Sequence, residues 1–217
     1  MQLTHFGHSC LLATFGCSDG TDTTLLFDPG VFSHGFEGVT GLSAILITHQ
    51  HPDHVDTSRL SALLDGNPGA ALYADPQTAA QLGAPWQPVS VGDELAIGGL
   101  RVRGGGGVHA VIHPEIPLIN NISYLVGDGK HAARLMHPGD ALYIPREPVD
   151  VLALPVAAPW MKISEGVEYL RAVNPSRAIP IHQGIVNPVA YNLYYQRYIE
   201  MGGTDFRVLE AENGTEF

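Results

Sequence analysis

The chain has 217 residues, of which 45% are hydrophobic and 15% charged, a composition that suits one globular domain and excludes collagen-like, coiled-coil and disordered chains. Its 25 glycines and 16 prolines favour many turns, as in a loop-rich α/β or α+β protein. The formal net charge of −11, from 11 Lys and Arg against 22 Asp and Glu, argues against nucleic acid as a partner.

Targeting signals and cysteines give a second set of expectations. No run of about 18 apolar residues could span a bilayer, and the first ten residues lack a charged segment followed by an apolar core. We therefore expect a cytoplasmic protein without a membrane partner. Cys10 and Cys17 are too few for a disulfide framework, so reduced thiols are the default and a single bridge is the alternative.

The first half of the chain predicts an antiparallel meander, then strands that alternate with helices. Predicted strands cover Leu3, 10–15, 25–27, 43–48 and 70–74, with a turn over 18–21. A short helix is predicted with Asp56 or Thr57 as its N-cap and Gly66 at its end, and a second runs from Pro76 to Leu82.

The second half predicts more sheet and two longer helices. Residues 89–102 alternate around Gly92-Asp93 and Gly98-Gly99, which indicates two consecutive hairpins. Predicted strands follow at 123–126, 134–136, 149–154, 178–181 and 206–209. One helix is predicted to begin after Ser164 as its N-cap. Another is predicted from about Val189 to Met201. The halves divide near residues 100–108, and without a low-complexity linker we expect one domain over 1–217.

Histidines stand out, because the chain has 11, as many as Lys and Arg together. A pattern HxHxDH follows the buried strand 43–48 and comprises His49, His51, Asp53 and His54. This spacing does not match one helix face. On a turn after a strand, however, alternate residues can point to one metal ion and the next pair to a second.

More metal donors follow predicted strands downstream. They are His109, Asp140 and His182, with His113 as the alternative to His109. Chance placement at strand ends would explain one such residue but not the whole set. All donors are nitrogen or oxygen, so zinc is expected first, with iron and manganese as alternatives.

In their order along the chain, these residues resemble the metallo-β-lactamase superfamily. The match runs from Asp28 through THQHPDH at 48–54, His109 and Gly139-Asp140 to His182, and it covers essentially the whole chain. The resemblance implies an α+β fold, a four-layer αββα sandwich of two packed halves, with two metal ions at one edge between two sheets.

The resemblance also implies a role for each donor. One metal would be held by His49, His51 and His109, and the other by Asp53, His54 and His182. Asp140 would bridge the two. Asp28 would support the ligand loop by accepting a ligand's imidazole N–H, and a plain turn aspartate before Pro-Gly is the alternative.

The implied activity is metal-dependent hydrolysis. Two divalent ions lower the pKa of a shared water toward about 7 and polarise the substrate oxygen, and Asp53 and Asp140 are the predicted catalytic carboxylates. Candidates for an acid that protonates the leaving group are His8, His113 and His137, each of which is alternatively a loop histidine.

Residues that would contact the substrate are less clearly marked. Trp160 and Lys162 follow a buried strand and could wall the pocket, or the tryptophan could simply cover the core. The expected substrate is a small ester, lactone or phosphodiester. Within the superfamily the chain looks most like the small cytosolic hydrolases that include the ascorbate-6-phosphate lactonase relatives.

Other members of the superfamily match less well. Secreted β-lactamases have a signal peptide and usually Cys in place of Asp140, glyoxalase II has an extra C-terminal helical region, and the tRNA-processing nucleases use a basic arm. A di-iron redox protein, an RNA-processing nuclease of the same fold and a non-catalytic metal-binding protein remain the alternatives. Assembly into a homo-oligomer is left open.

Overall fold

The computed structural model describes residues 1–16, 22–209 and 214–217. Within these ranges two β-sheets of seven strands each carry helices on their outer faces. The predicted turn over 18–21 and Cys17 lie outside the described residues, and Cys10 is a buried free thiol.

The first sheet begins as the predicted antiparallel meander and continues with parallel strands. Its strands are β1 (Gln2–His5), β2 (Leu11–Gly16), β3 (Asp22–Phe27), β4 (Ala44–Ile47), β5 (Ala71–Ala74), β6 (Gln87–Pro88) and β14 (Thr215–Glu216). The strand order is β14-β1-β2-β3-β4-β5-β6. β4 pairs in parallel with both neighbours and is buried along its whole length, which explains its continuous apolar run.

The second sheet is mixed in the same way. Its strands are β7 (Glu94–Ile97), β8 (Leu100–Val108), β9 (Asn120–Gly127), β10 (Leu135–His137), β11 (Val151–Pro155), β12 (Arg177–Ile181) and β13 (Asp205–Phe206). β7 to β10 are antiparallel neighbours, and β10 to β13 are parallel. Since β8 runs in the same direction as β10, β11 and β12, all four carboxyl ends lie at one edge of the sheet.

Four α-helices flank the sheets in the described part of the chain. They are α1 (Leu60–Asp65), α2 (Pro76–Leu82), α3 (Ile163–Val173) and α4 (Tyr191–Met201). α2 has the predicted bounds, because the Asp75 carboxylate accepts from the Gln77 and Thr78 amides and Pro76 occupies the first position.

Two predicted helix caps are wrong. α1 is preceded by Arg59, and not by Asp56 or Thr57. α3 is preceded by Lys162 and not by Ser164, and the Glu165 carboxylate accepts from the Lys162 backbone N–H at 2.7 Å. The Glu165 carboxylate thus provides the hydrogen bond at the start of α3, whereas Arg59 makes no side-chain hydrogen bond to the first turn of α1. Where each helix begins depends on how the preceding loop enters it.

Three buried apolar clusters account for the four layers. Leu3, Phe27, Val102 and Tyr124 belong to the cluster between the sheets. A second cluster joins the outer face of the first sheet to α1 and α2, and a third joins the outer face of the second sheet to α3 and α4. Full burial of one leucine stabilises the fold by roughly 1.5–3 kcal/mol. The predicted α+β four-layer sandwich is confirmed.

One of the two predicted hairpins is wrong. Gly98-Gly99 does connect the antiparallel strands β7 and β8. Gly92-Asp93, however, lies where the chain crosses from β6 in the first sheet to β7 in the second. The two sheets therefore divide within residues 89–93, and not at 100–108. A local turn signal cannot distinguish a hairpin from a crossover, because the pairing partners are distant in sequence.

The C-terminal region also departs from the prediction. Of the strand predicted at 206–209, only Phe206 lies in β13, and β14 returns to pair with β1 in the first sheet. The 3₁₀ turn Pro188–Ala190 directly precedes α4, so the α-helix begins at Tyr191. None of the described helices has the length and apolar character required to cross a membrane.

Candidate metal centre

The structure brings the seven predicted metal donors together at one edge of the sandwich. His49, His51, Asp53 and His54 follow β4, His109 follows β8, Asp140 follows the end of β10, and His182 follows β12. Most are buried, and only the side chains of His51 and Asp53 are partly exposed. The strand ends of both sheets therefore supply one compact group of nitrogen and oxygen atoms.

The donor atoms form two groups, and the atoms of each group lie within 4.8 Å of one another. The first group is His49, His51, His109 and Asp140, and the second is His8, Asp53, His54 and His182. His8 was considered as an acid and not as a ligand, so its place in the second group was missed. A catalytic metal ion usually takes three protein ligands and keeps one open position, so each group holds enough donors for one ion.

Asp140 lies between the two groups. Its Oδ1 is 3.0 Å from His54 Nε2, and its Oδ2 is 3.2 Å from His182 Nε2 and 3.4 Å from His109 Nε2. Burial would raise the pKa of Asp140, but His182 and His54 hold it well below its ordinary range. An ionised carboxylate thus faces histidines of both groups.

Backbone and carboxylate oxygens fix the tautomers of three histidines. His109 Nδ1 is 2.6 Å from the Ala110 carbonyl, and His182 Nδ1 is 2.7 Å from the Ala157 carbonyl. A carbonyl oxygen can only accept, so each Nδ1 carries the hydrogen. His54 Nδ1 donates in the same way to Asp28 Oδ2 at 2.7 Å. In each ring Nε2 is therefore the nitrogen that can offer its lone pair when a metal ion takes the place of a proton, as a metal ligand requires.

Four buried atoms at this place have no hydrogen-bond partner in the part of the chain that the structure describes. They are His54 Nε2, His109 Nε2, His182 Nε2 and Asp140 Oδ1. Buried polar groups are seldom left unsatisfied. Burial would lower the pKa of His54, but the Asp140 and Asp28 carboxylates hold it well above its ordinary range, so the site favours positive charge there. The donor set fits divalent cations.

Asp28 and Thr48 form the base of the loop that carries the HxHxDH residues. The buried Asp28 carboxylate accepts from the Thr48 backbone N–H and hydroxyl, each at 2.7 Å, as well as from His54. The Thr48 hydroxyl also lies 3.1 Å from His49 Nδ1. Thr48 was missed as a site residue, although its position directly before His49 in THQHPDH was a signal that could have found it.

Arg59 and Gly30 hold the neighbouring loop in place. Arg59 donates to the carbonyls of Gly30 at 2.6 Å and Ser33 at 2.8 Å, and to the Asp56 carboxylate at 2.6 Å. A Cβ at Gly30 would overlap the Asp53 backbone carbonyl. The chain therefore approaches the ligand loop as closely as only glycine permits. No sequence signal pointed to Arg59.

His8 supports Asp53. Its Nδ1 accepts from the Gly184 backbone N–H at 3.2 Å, so its Nε2–H donates to Asp53 Oδ2 at 3.0 Å. Burial lowers the pKa of His8 to about 4, which keeps the ring neutral at pH 7. Burial would raise the pKa of Asp53, but the hydrogen bond from His8 lowers it below its ordinary value. A neutral His8 thus orients an ionised carboxylate.

Two other histidines considered as acids are placed differently. His137 is buried, with Nε2 at 2.9 Å from the Ser9 carbonyl and Nδ1 accepting from the Gly139 backbone N–H at 3.3 Å. Both nitrogens are engaged by backbone, which favours the structural alternative. His113 is exposed, accepts from the Glu115 N–H at 3.2 Å, and lies outside both donor groups, whereas His109 lies inside one.

Trp160 and Lys162 have separate surroundings. The Trp160 indole N–H donates to Asp140 Oδ2 at 2.8 Å, and its ring centroid lies 6.1 Å from that of His109. Lys162 lines a cavity beside the centre. Asn121, which sequence reasoning missed, accepts from the Asp140 backbone N–H at 2.9 Å and donates to the Pro138 carbonyl at 2.9 Å. Asp140 is thus held from both its side chain and its backbone.

Comparison with known proteins places these features in a family. The beta-lactamase superfamily domain matches residues 2–182, a segment that ends on the last donor, His182. The protein Rv0786c of Mycobacterium tuberculosis is 70% identical over 217 residues, which is 100% of both chains. A UPF0173 protein of Pyrococcus furiosus is 28% identical over 198 residues, covering 85% of this chain and 84% of its own length.

A solved structure shows the same fold. The metallo hydrolase Igni18 of the hyperthermophilic archaeon Ignicoccus hospitalis superposes with a TM-score of 0.73, covering 100% of this chain and 98% of its own. At 20% sequence identity, this similarity supports the fold and leaves the substrate open.

Proposed function

The chain belongs to the beta-lactamase superfamily, and from that premise we propose that it is a hydrolase that uses two divalent metal ions to cleave a small ester, lactone or phosphodiester. The observation that supports this most directly is the set of four buried donor atoms without hydrogen-bond partners. They converge on the space between two donor groups of the right composition.

The residues fit two ions in the arrangement that the resemblance implies. His49, His51 and His109 would hold one ion, Asp53, His54 and His182 the other, and Asp140 would bridge them. Two divalent ions there would supply a water that is deprotonated near neutral pH and a Lewis acid for the substrate oxygen. The protein's own contribution is to fix Asp140 through Trp160 and Asn121, and Asp53 through His8.

We propose zinc as the resident metal, because imidazole and carboxylate donors suit it. Iron or manganese would use nearly the same donors, so the metal must be measured by emission spectroscopy after expression without added metal. Iron bound together with uptake of oxygen and a reductant would favour the di-iron redox alternative instead.

Charge at the site supports a small substrate. Two divalent ions exceed the combined charge of Asp53, Asp140 and a hydroxide by about one unit, so a small anion can be held. A long polyanion would instead lie across a chain of net charge −11, with repulsion that extends about 8 Å at physiological ionic strength. RNA and DNA are therefore not expected to bind tightly.

The test is a substrate panel on metal-reconstituted protein. A chromogenic phosphodiester, a lactone and an aryl acetate are compared with structured RNA at matched salt. The variant His182→Ala should lose at least about 100-fold in turnover. The control His131→Ala changes a histidine that is 45% exposed and paired with Asp128, and should leave turnover unchanged. Preferential cleavage of RNA, or full metal loading with no hydrolysis of any compound, would contradict the proposal.

A further inference from the structure

Thr48 lies between β4 and the four donors of the HxHxDH pattern, and it is fully buried. Two of its groups donate to the same carboxylate. The backbone N–H donates to Asp28 Oδ1 and the hydroxyl donates to Asp28 Oδ2, each at 2.7 Å. One residue therefore holds both oxygens of Asp28 and fixes the plane of that carboxylate.

The direction of the Thr48 hydroxyl hydrogen decides the tautomer of His49. A threonine hydroxyl has one hydrogen and a carboxylate can only accept, so this hydrogen lies between Thr48 Oγ1 and Asp28 Oδ2. Toward His49 Nδ1, which is 3.1 Å away, Oγ1 can therefore only accept. The ring hydrogen of His49 must then be on Nδ1, which leaves Nε2 as the nitrogen that can bind a metal ion.

His49 Nε2 faces the other members of its donor group. It lies 3.0 Å from Nδ1 of His51, and the ring centroids of His49 and His109 are 4.9 Å apart. The hydrogen bond from His49 Nδ1 to Thr48 thus holds the ring by the nitrogen that does not bind metal, and it directs the other nitrogen into the first donor group.

The same hydroxyl reaches the second donor group through Asp28. His54 Nδ1 donates at 2.7 Å to Asp28 Oδ2, the oxygen that also accepts from the Thr48 hydroxyl. Because Thr48 holds both oxygens of this carboxylate, it keeps Oδ2 directed at His54. One hydroxyl is therefore connected to His49 in the first group and to His54 in the second.

The second sheet fixes the position of Thr48 itself. The Ile122 backbone N–H, in β9, donates to the Thr48 carbonyl at 2.8 Å. Gly139, which directly precedes Asp140, packs so closely that a Cβ there would lie 2.7 Å from Thr48 Oγ1. A β-branched side chain in such a packed place has little freedom to rotate, so the hydroxyl keeps its direction.

We propose that Thr48 is a positioning residue for both metal ions, because its hydroxyl orients His49 directly and His54 through Asp28. This role rests on the two-metal centre of the proposed function and is independent of which substrate is hydrolysed. The alternative is that Thr48 only fills space between the sheets. In that case the size of its side chain would matter and its hydroxyl would not.

Zinc affinity, measured by competition against a chromophoric chelator, separates these two roles. Thr48→Val keeps the size of the side chain and removes the hydroxyl, so His49 Nδ1–H loses its acceptor and Asp28 loses a donor. We expect zinc affinity to fall by about 10- to 100-fold. Thr48→Ser keeps the hydroxyl and removes a methyl group, and should bind zinc with an affinity close to that of the wild type.

Thr78→Val is the matched control, because Thr78 is also buried but lies on α2. It should bind zinc as tightly as the wild type. Wild-type affinity in Thr48→Val would overturn the proposal. A larger loss in Thr48→Ser than in Thr48→Val would overturn it too, since packing would then be the property that matters.

Nitrogen NMR of the histidine rings tests the tautomer in the wild type, and so covers the case in which Thr48→Val does not fold. The His49 signals are assigned by their absence in His49→Gln. Nδ1 of His49 should carry the hydrogen both with and without zinc. A hydrogen on Nε2 in the zinc-free protein would overturn the proposal.

These results are distinguishable from the outcome of the substrate panel. If zinc affinity depends on the Thr48 hydroxyl but no compound is hydrolysed, the role of Thr48 stands and the proposed activity fails. If the panel is hydrolysed and Thr48→Val binds zinc as tightly as the wild type, the activity stands and the role of Thr48 fails.

Discussion

Replacing Trp160 by phenylalanine tests whether the buried indole positions the carboxylate between the two donor groups. The change removes one N–H donor, 2.8 Å from Asp140 Oδ2, and keeps most of the ring that packs near His109 and His182. A hydrogen bond to a charged acceptor contributes about 1.5–3 kcal/mol net. At about 1.4 kcal/mol for each factor of ten, its loss corresponds to about 10- to 150-fold in an equilibrium constant.

Two effects of this substitution oppose each other. Loss of the donor leaves the Asp140 carboxylate free to rotate away from the position between the groups, which weakens metal binding. The same loss leaves more negative charge on the carboxylate, which strengthens its attraction for a cation. Changes in such supporting groups usually reduce metal affinity by about 10- to 100-fold, so we expect the positional effect to dominate by about that factor.

The assay is competition for zinc against a chromophoric chelator, with Trp86→Phe as the matched control. Trp86 is also 9% exposed, but it belongs to the cluster between the first sheet and its helices. Trp86→Phe should cost stability without changing zinc affinity. Equal affinities in the two variants, or tighter binding in Trp160→Phe, would refute the reasoning.

Further predictions concern the metals and the ligand loop. Removing the metal with a chelator should lower the melting temperature by about 5–10 °C for each site, if the free metal concentration before removal is about 100 times the Kd of that site. A melting temperature that does not change in calorimetry would count against metal binding. Asp140→Ala should retain less than one metal ion per chain and His182→Ala about one, because the Asp140 carboxylate faces histidines of both groups. Equal metal contents of the two variants, measured by emission spectroscopy, would show that Asp140 does not bridge. Gly30→Ala should lower the free energy of unfolding in urea by about 3 kcal/mol, because the added Cβ would overlap the Asp53 carbonyl. Gly69→Ala has open space around it and should change the free energy of unfolding by no more than about 0.5 kcal/mol. Similar losses in the two variants would contradict the close approach at Gly30.

The elements that sequence predicted well are those whose signals are local. β4 is a continuous apolar run, and α2 has an aspartate cap followed by proline, so neighbouring residues alone determine both. The HxHxDH pattern is equally local, since four donors within six residues have few structural explanations. Its neighbours in space were found from their positions along the chain, since His182 directly follows the predicted strand 178–181 and His109 follows the glycine run 104–107 after the predicted strands of 89–102.

Contacts between distant segments could not be predicted in the same way. Arg59 reaches carbonyls of Gly30 and Ser33, residues 29 and 26 positions away, and nothing in the local sequence marks them as partners. Trp160 was expected to wall a pocket or cover the core, because the sequence gives no sign that its N–H faces a carboxylate 20 positions earlier. The crossover at Gly92-Asp93 was read as a hairpin for the same reason.

The metal donors themselves show where side-chain patterns stop being informative. The tautomer of His54 is set by its hydrogen bond to the Asp28 carboxylate, and an aspartate can be recognised in the sequence as a possible partner. His109 and His182 receive theirs from the main-chain carbonyls of Ala110 and Ala157. Every residue has a carbonyl, so no residue type marks these positions, and the fold alone decides which carbonyl faces the ring. The sequence therefore identifies the candidate ligands, whereas the protonation that leaves Nε2 of His109 and His182 able to bind a metal ion depends on the path of the backbone after β8 and β11.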